Sequence, residues 1–431
     1  MRTRLRRLDT TALVYIALVI VLIIAAILVS TTGRNLFSPG NIRDILTGMS
    51  VLGFVAIGQT LVILGASLDL SVPYVMSLAS LIAAQTMDGR DGMVIPAVLL
   101  TVAITALIGL ANGLFVTVLK VHGFVATLGV GLMLKGYLDT NYQGTEGEVP
   151  WSFQLFGASG IGPVPISTVV MLALAALVAF ILVRTTFGHH LFAAGGNAEV
   201  ARLSGVRERL PIIGAHIGSS VCAGFAGLLL ASRLGVGSPT VGSQGTYDLL
   251  SIAAVVLGGT VLMGGRGSIW GTIGGVAIFA VLDNLMSVMQ FNPFLKDVIR
   301  GLVIIVAVAL YARRRIIARR IRFAQAPQGP NIATDNRAGS ETPQTENLGE
   351  RAAVTGDGRP SPERGAGHDL LNREPTVEAG TIRVFTVGAG PPRCRGTVCR
   401  ARPAGTRSEG DRRGPPHHHP PGHRRAQSEL R

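Results

Sequence analysis

The chain has 431 residues, of which 48% are hydrophobic and only 15% are charged, and it contains 55 glycines. This composition excludes an ordinary soluble domain and favours an integral membrane protein. The formal net charge is +14, but no basic face or recognition fold accompanies it, so we expect no nucleic-acid partner. The three cysteines, Cys222, Cys394 and Cys399, are too scattered to predict a disulfide framework.

The first predicted element is an uncleaved membrane span. Residues 1–10 contain four arginines, and an apolar run follows at about 11–31. At about 1.5 Å per residue, this run is long enough to cross a hydrocarbon core of about 30 Å. A secretory signal peptide would have a shorter apolar region and a small-residue cleavage site. We therefore predict a cytoplasmic N-terminus at 1–10, followed by a permanent first span.

Nine further apolar runs predict an all-α polytopic transmembrane domain over 11–322. With the first run they make about ten transmembrane helices, joined by polar or glycine-rich connections. The least clear boundary is inside 248–289, where only a Gly-Gly-Arg-Gly sequence separates two spans. The nine runs lie at about 45–65, 71–87, 93–119, 122–140, 164–183, 211–232, 248–264, 269–289 and 297–312.

Lysine and arginine are divided unequally between the two sides that ten spans would create. With the N-terminus inside, the inner segments up to Arg322 hold 16 of these residues and the outer segments hold 7. Cytoplasmic loops of membrane proteins carry such an excess. We therefore predict that both termini and the connection at 188–206 are cytoplasmic.

The longest outer loop is predicted at 139–163 and contains Glu146, Glu148 and Trp151. One interpretation is a contact surface for an external protein that delivers substrate. The other is a solvated connector, and the residues do not favour either.

Small residues recur at helical spacing inside the spans, in the GxxxG pairs Gly109–Gly113, Gly214–Gly218 and Gly271–Gly275. We expect these pairs to allow close packing of helix backbones. The glycine-rich run at 258–268 lacks the spacing and lysine of a phosphate-binding loop, and no Walker A motif occurs elsewhere. We therefore expect no ATP hydrolysis and no enzymatic activity from this chain, and no side-chain spacing predicts a metal site.

Four polar residues at membrane depth are candidates for a substrate pathway, because such groups are costly there. They are Asp69, Asn112, Asp283 and Asn284. Asp69 is alternatively a helix N-cap at the membrane interface, and Pro73 after it suggests a broken or re-entrant segment. The other three are alternatively groups that hydrogen-bond between helices.

The polar, glycine-rich segment 188–206 lies between two apolar runs. Asn197 predicts the N-cap of a helix of about two turns, with Glu199 in its first turn. We expect Gly195 and Gly196 to let the chain turn into this helix. The residues also fit an amphipathic loop helix that lies on a membrane surface.

Four longer motifs stand along the chain: A-x-G-G-N-x-x-x-x-R-L-S-G at 193–205, LDLSV at 68–72, GFVATLG at 123–129 and YDLLSIAAVVLGGTVLMGGRGSIWGT at 247–272. Together they resemble the motifs of ABC-importer permeases of the ribose/xylose type. The resemblance covers about 41–315. It departs at His189 and His190, where that family commonly has a basic or aromatic residue, and at Ala66 and Pro73, where it commonly has glycine.

The resemblance implies a function and a set of partners. The chain would form the sugar translocation path of an ATP-driven importer in the cell membrane, surrounded by lipid, and would act as a dimer of two copies. Cytoplasmic ATP-binding subunits would bind and hydrolyse the ATP, so the chain itself needs no cofactor, and an extracytoplasmic sugar-binding protein would deliver the substrate. The 188–206 segment would dock on the ATPase through Gly188, Ala193, Gly195, Gly196, Asn197, Arg202, Ser204 and Gly205.

The residues alone do not exclude a transporter of another class. An ion-coupled secondary transporter would need a carboxylate that titrates in the pathway, for which Asp69 and Asp283 are candidates. A passive channel is less well matched, because the spans contain no rings of charge.

The composition changes after Phe323. Of the 22 prolines, 13 fall in 323–431, and apolar residues become sparse there. Such a segment cannot bury enough surface to offset the entropy of ordering it. We predict a disordered polar tail at 323–431, to which the resemblance does not extend.

Overall fold

The computed structural model describes residues 10–303 and 305. Almost all regular structure in this part of the chain is α-helical, with one two-stranded antiparallel sheet, β1 (Gly160–Ile161) and β2 (Val164–Pro165). Residues 293–303 are also helical. The helices are α1 (Thr10–Ser30), α2 (Pro39–Leu64), α3 (Val72–Met87), α4 (Val94–Thr117), α5 (Gly123–Asn141), α6 (Trp151–Ala158), α7 (Ile166–Arg184), α8 (Thr186–Gly196), α9 (Ala198–Leu203), α10 (Arg209–Leu234), α11 (Tyr247–Leu257) and α12 (Ile269–Val288).

Six described helices are long and apolar enough to cross a membrane, namely α1, α2, α4, α7, α10 and α12. Helices α3 and α11 are apolar but shorter. The chain is therefore an all-α integral membrane protein. Each of the ten predicted runs overlaps helical residues, but the count of ten spans and the sides of the termini stay predictions. The tail predicted at 323–431 lies outside the described residues.

The run predicted at 248–264 was too long. It is helical only to Leu257, because Gly258 and Gly259 follow and Gly259 has a φ of 92°. The segment 188–206 contains the predicted helix after Asn197 and, before it, the rest of α8, which continues to Gly196.

Helix α10 lies at the centre of the bundle and packs against α2, α3 and α4. Its contact with α4 is backbone to backbone. A Cβ on Gly109 would lie 2.5 Å from the carbonyl oxygen of His216, and one on Gly113 would lie 2.8 Å from the Cα of Ile213. The packing role predicted for this GxxxG pair is confirmed.

Helix α12 packs against α1, α2 and α11. Gly271 and Gly275 face the last turn of α11, where a Cβ would overlap the carbonyl oxygens of Gly258 and Ala254. Their predicted role is also confirmed. Gly214 and Gly218 instead meet the side chains of Phe187 and Leu61, so this third pair does not join two backbones.

The segment predicted as an outer loop at 139–163 is largely folded. It contains α6 and the β1–β2 hairpin, and Glu146 forms an antiparallel bridge with Gly237. The backbone N–H of Gly89 donates to the carbonyl of Glu148 (2.8 Å). The segment is therefore attached to the ends of α3 and α10, while the side chain of Trp151 stays exposed.

Candidate functional site

Helix α8 lies on one end of the bundle. Its N-cap is Thr185, whose hydroxyl accepts from the backbone N–H of Gly188 at 3.5 Å. A Cβ on Gly188 would overlap the backbone of Leu182. The side chain of Leu191 is fully buried, so α8 is anchored to the bundle on one face while Ala193 is exposed on the other.

Helix α9 follows directly and is capped as the sequence predicts. The side-chain oxygen of Asn197 accepts from the backbone N–H groups of Glu199 (3.0 Å) and Val200 (3.1 Å). Gly205, with a φ of 81°, ends the turn after it. Arg202 and Ser204 are exposed. The helix has six residues, about the predicted two turns.

Two apolar side chains of α9 are unusually open to their surroundings. Val200 is 57% exposed and Leu203 is 80% exposed. They are three residues apart, so they lie on one side of the helix. Only Ala201 of the helix is buried. Helix α9 thus presents a short apolar face between polar groups.

Gly195 and Gly196 do not form the turn that the sequence predicted, because both are the last residues of α8 and neither has a positive φ. Gly195 instead allows a close approach, since a Cβ there would overlap the carbonyl oxygen of Leu64. That carbonyl accepts from the backbone N–H of Gly265 at 3.0 Å. We call this meeting of α8, the end of α2 and the 258–268 connection the glycine junction.

The segment 65–71, between α2 and α3, is non-helical and mostly buried. The backbone N–H of Leu70 donates to the hydroxyl of Thr127 at 3.0 Å, and that hydroxyl also lies 3.1 Å from the carbonyl of Leu68. The side-chain amide of Gln59 faces the backbone of Asp69. When its nitrogen points to the carbonyl of Asp69, Gln59 donates to that carbonyl (3.2 Å) and accepts from the backbone N–H of Asp69 (3.3 Å). The segment therefore folds back beside α2, as Pro73 suggested.

Asp69 is at the centre of this segment and is fully buried. Its Oδ1 accepts from the backbone N–H of Ser71 (3.0 Å) and from the hydroxyl of Ser71 (2.6 Å). Asn112 donates to the same hydroxyl at 2.9 Å. Asp69 is not the N-cap of α3, because Ser71 occupies that position. The interface N-cap considered for Asp69 is thus wrong.

His216 completes the set, with its Nε2 3.1 Å from the hydroxyl of Ser67. We call these side chains the Asp69 network. None of them lines either described cavity. Its members are Gln59, Ser67, Asp69, Ser71, Asn112, Thr127 and His216, each buried.

Asp283 and Asn284 have different surroundings, because both line a cavity of about 530 Å³. Leu52, Leu250 and Phe279 contribute apolar surface to it. The polar lining residues are Arg34, Asn41, Asp44, Arg233, Tyr247, Asp283, Asn284, Ser287 and Arg300.

Two side-chain pairs organise the polar wall. Asp283 forms an ion pair with Arg300, which also donates to Asp297 at 3.0 Å. Asn284 donates to the side-chain oxygen of Asn41 at 2.9 Å. Helix α2, helix α12 and residues 297–300 after α12 are therefore joined through polar side chains.

The cavity and α9 lie at opposite ends of the bundle. Asn41 and Asp44 are in the first turns of α2, whereas α8 meets the last residue of α2, Leu64. At about 1.5 Å per residue, Asn41 and Leu64 are separated by about 35 Å, roughly the thickness of a bilayer core. Asp283 is correspondingly near the end of α12.

The sequence did not single out Asn41 or Arg300. Asn41 fell before the predicted span at 45–65, although α2 begins at Pro39. A start signal was present, because Ser38 precedes a proline at the first helical position, and its hydroxyl accepts from the N–H of Asn41 at 3.4 Å. Arg300 counted only as an outer charge, and no local signal pairs it with Asp283.

These features define a polytopic α-helical membrane protein with a polar cavity at one end and an exposed capped helix at the other. Residues 41–308 match the family described as branched-chain amino acid transport system / permease component. The chain belongs to this family of membrane transport permeases.

Curated relatives are similar over most of their length. The ribose import permease protein RbsC of Bacillus subtilis (strain 168) is 35% identical over 294 residues, covering 67% of this chain and 90% of the relative. The galactose/methyl galactoside import permease protein MglC of Escherichia coli (strain K12) is 35% identical over 322 residues, covering 69% and 94%. The probable ABC transporter permease protein YphD of the same strain is 34% identical over 295 residues, covering 68% and 88%. No solved structure matches the chain.

Proposed function

We propose that the chain is the membrane-spanning permease subunit of an ATP-driven sugar importer and forms its translocation path. The observation that carries this proposal is the placement of a polar cavity and an exposed, capped helix at opposite ends of α2. An ATP-driven permease must receive substrate at one face and respond to an ATPase at the other. Relatives named for import of ribose and galactose support a monosaccharide as the substrate class.

The coupling role belongs to α8 and α9. Asn197 and Gly205 shape α9, and Val200 and Leu203 supply an apolar face that a partner can bury. Arg202 adds a charge beside that face. Gly195 connects α8 to the end of α2 through the glycine junction, so docking on α9 acts directly on a membrane-spanning helix.

The assembly that fits this role has two ATP-binding subunits at the α9 end and a sugar-binding protein at the cavity end. The permease unit is proposed to be a homodimer within the lipid bilayer. The N-terminus is then cytoplasmic, which places α9 inside and the cavity outside. The positive charge at 313–322 supports a cytoplasmic C-terminal side.

The ion-coupled alternative has weaker support. Its coupling carboxylate must change protonation within the pathway. Asp69 lines neither described cavity, and Asp283 is held by Arg300. Names of curated relatives include import permease and ABC transporter permease, rather than ion symporter.

Uptake in reconstituted vesicles tests the energy source. Vesicles that contain this chain, its ATPase and its binding protein should accumulate D-ribose or D-galactose only when ATP is present on the side of the membrane where the ATPase is bound. An uncoupler that collapses ion gradients should leave the rate unchanged. If this chain alone takes up sugar and the uncoupler abolishes that uptake, the ATP-driven proposal is wrong and the ion-coupled one is supported.

The docking face is tested by Leu203→Glu. Because Leu203 is 80% exposed, the substitution should leave the bundle folded, yet it should weaken ATPase co-purification at least about tenfold by placing a charge in an apolar contact. The matched control is Ile161→Glu at the opposite end, where Ile161 is 78% exposed. If Leu203→Glu retains both co-purification and transport, α9 is not the coupling element.

A further inference from the structure

We propose that the cavity beside Asp283 is a recognition site for a monosaccharide, read by its hydroxyl groups, and that the permease therefore selects its substrate itself. This inference rests on the proposed function for the direction of transport. It goes further by assigning a ligand class to side chains that include Asn41, Tyr247 and Arg300.

The size and lining of the cavity suit a small molecule. Its volume of about 530 Å³ lies within the range of about 300–1,000 Å³ that is usual for small-molecule sites. Apolar side chains such as Leu52 and Phe279 and the aromatic ring of Tyr247 contribute to the lining. A sugar ring presents C–H groups on its faces and hydroxyls around its edge, so it needs this mixture.

The polar groups are set in place before any ligand arrives. Arg300 holds one oxygen of Asp283, while the side chain of Asp283 is still 48% exposed. Asn41 receives a hydrogen bond from Asn284 and donates its own amide N–H to the carbonyl of Leu36 at 2.8 Å. Pre-oriented groups lose little entropy on binding, which favours recognition of a weakly interacting neutral ligand.

The distribution of these groups decides between a sugar and an amino acid. A branched-chain amino acid carries all of its polar atoms at one end, and the rest is apolar. The cavity instead has polar groups on several walls: Asn41 and Asp44 on α2, Tyr247 on α11, Asp283 on α12 and Arg300 beyond it. A ligand with hydroxyls around its whole edge can reach several walls at once, since carboxylates, amides and guanidinium groups all hydrogen-bond to hydroxyls.

Protection of a cysteine in the cavity tests the site without any ATPase. Ser287 lines the cavity and is exposed, so Ser287→Cys provides a label position in full-length protein whose Cys394 and Cys399 are changed to serine. The remaining Cys222 is buried. In nanodiscs, D-ribose or D-galactose should slow the reaction of Ser287→Cys with a membrane-impermeant maleimide, and L-leucine should not.

A second substitution tests whether Asp283 in the cavity wall contributes to the protection of Ser287→Cys by sugar. Asp283→Asn in the same background should raise the sugar concentration for half-protection about tenfold, as expected for the loss of a charged hydrogen-bond acceptor. Asp248→Asn is the matched control, because Asp248 is on neighbouring α11 and does not line the cavity. If Asp283→Asn aggregates on size exclusion, Tyr247→Phe tests the adjoining wall in the same way.

The outcomes separate the two proposals. Protection by L-leucine, or by neither sugar at concentrations that support uptake, overturns the recognition site even if ATP-driven sugar uptake is confirmed. Protection by sugar that Asp283→Asn weakens and Asp248→Asn does not supports the site even if uptake proves to be ion-driven.

Discussion

The Asp69 network and the Asp283 cavity are both built from carboxylate, amide and hydroxyl groups on apolar helices, yet their surroundings are opposite. Asp69 is fully buried and its Oδ1 accepts two hydrogen bonds from Ser71. Asp283 pairs with Arg300 at the wall of a cavity and remains half-exposed. An aspartate thus accepts hydrogen bonds from a non-helical backbone segment at Asp69, whereas an aspartate lines a cavity at Asp283.

The difference teaches that polarity at membrane depth has two separate causes. The non-helical segment 65–71 leaves backbone groups that helices would have paired, and neighbouring side chains such as Thr127 satisfy them. Around Asp283 the backbone is helical and already paired, so its carboxylate is not needed for backbone satisfaction. A polar side chain beside broken backbone is therefore better explained by structure, and one beside intact helix by ligand contact.

The largest effect on stability is expected for Asp69→Leu. It would leave the N–H and hydroxyl of Ser71 without their buried acceptor, which should lower the free energy of unfolding by about 2–4 kcal/mol. Thermal unfolding in detergent, followed by size exclusion, measures this. Asp69→Asn is the matched control, because its amide oxygen can still accept both hydrogen bonds. A stable Asp69→Leu variant that no longer transports would show that Asp69 contacts substrate.

A smaller loss is expected for Thr127→Val, which keeps the shape of the side chain but removes the acceptor for the N–H of Leu70. The free energy of unfolding should fall by about 1–2 kcal/mol. Thr140→Val, on the exposed part of the same helix, should change it by less than about 0.5 kcal/mol. Equal melting temperatures for the two variants would contradict the role given to Thr127.

The smallest effect on stability is expected for Asp283→Ala. Its ion pair is partly solvated and Arg300 keeps Asp297 as a partner. The free energy of unfolding should therefore change by less than about 1 kcal/mol. Sugar uptake should nevertheless show a higher KM, measured in the reconstituted importer. A large drop in melting temperature, with an unchanged KM, would place Asp283 in the same structural class as Asp69.

Much of the helical framework could be predicted from apolar periodicity. The run at 71–87 corresponds to α3 within one residue, and the cap formed by Asn197 was readable from local chemistry alone. Helix α8 was missed because its glycines and two histidines resemble a loop, while its stability comes from tertiary contacts of Leu191 and Gly195. Local sequence does not report such contacts.

The candidate sites were harder to predict than the helices. Asp69, Asn112, Asp283 and Asn284 were all recognisable as costly polar groups, but the sequence could not separate the first two from the last two. That separation depends on which residues face each other across the bundle. The pairing of Asp283 with Arg300 becomes apparent only once the chain has turned back between them.

The glycine junction has a mechanical consequence for energy transfer. Where two helices meet through side chains, a small displacement can be absorbed by a change of rotamer. At Gly195 and Leu64 the touching atoms are backbone, and the carbonyl of Leu64 is also held by Gly265. Backbone atoms in close contact have no such compliance. A displacement of α8 by even a few tenths of an ångström must therefore shift the end of α2 with it, because no side chains lie between the two backbones to absorb the movement.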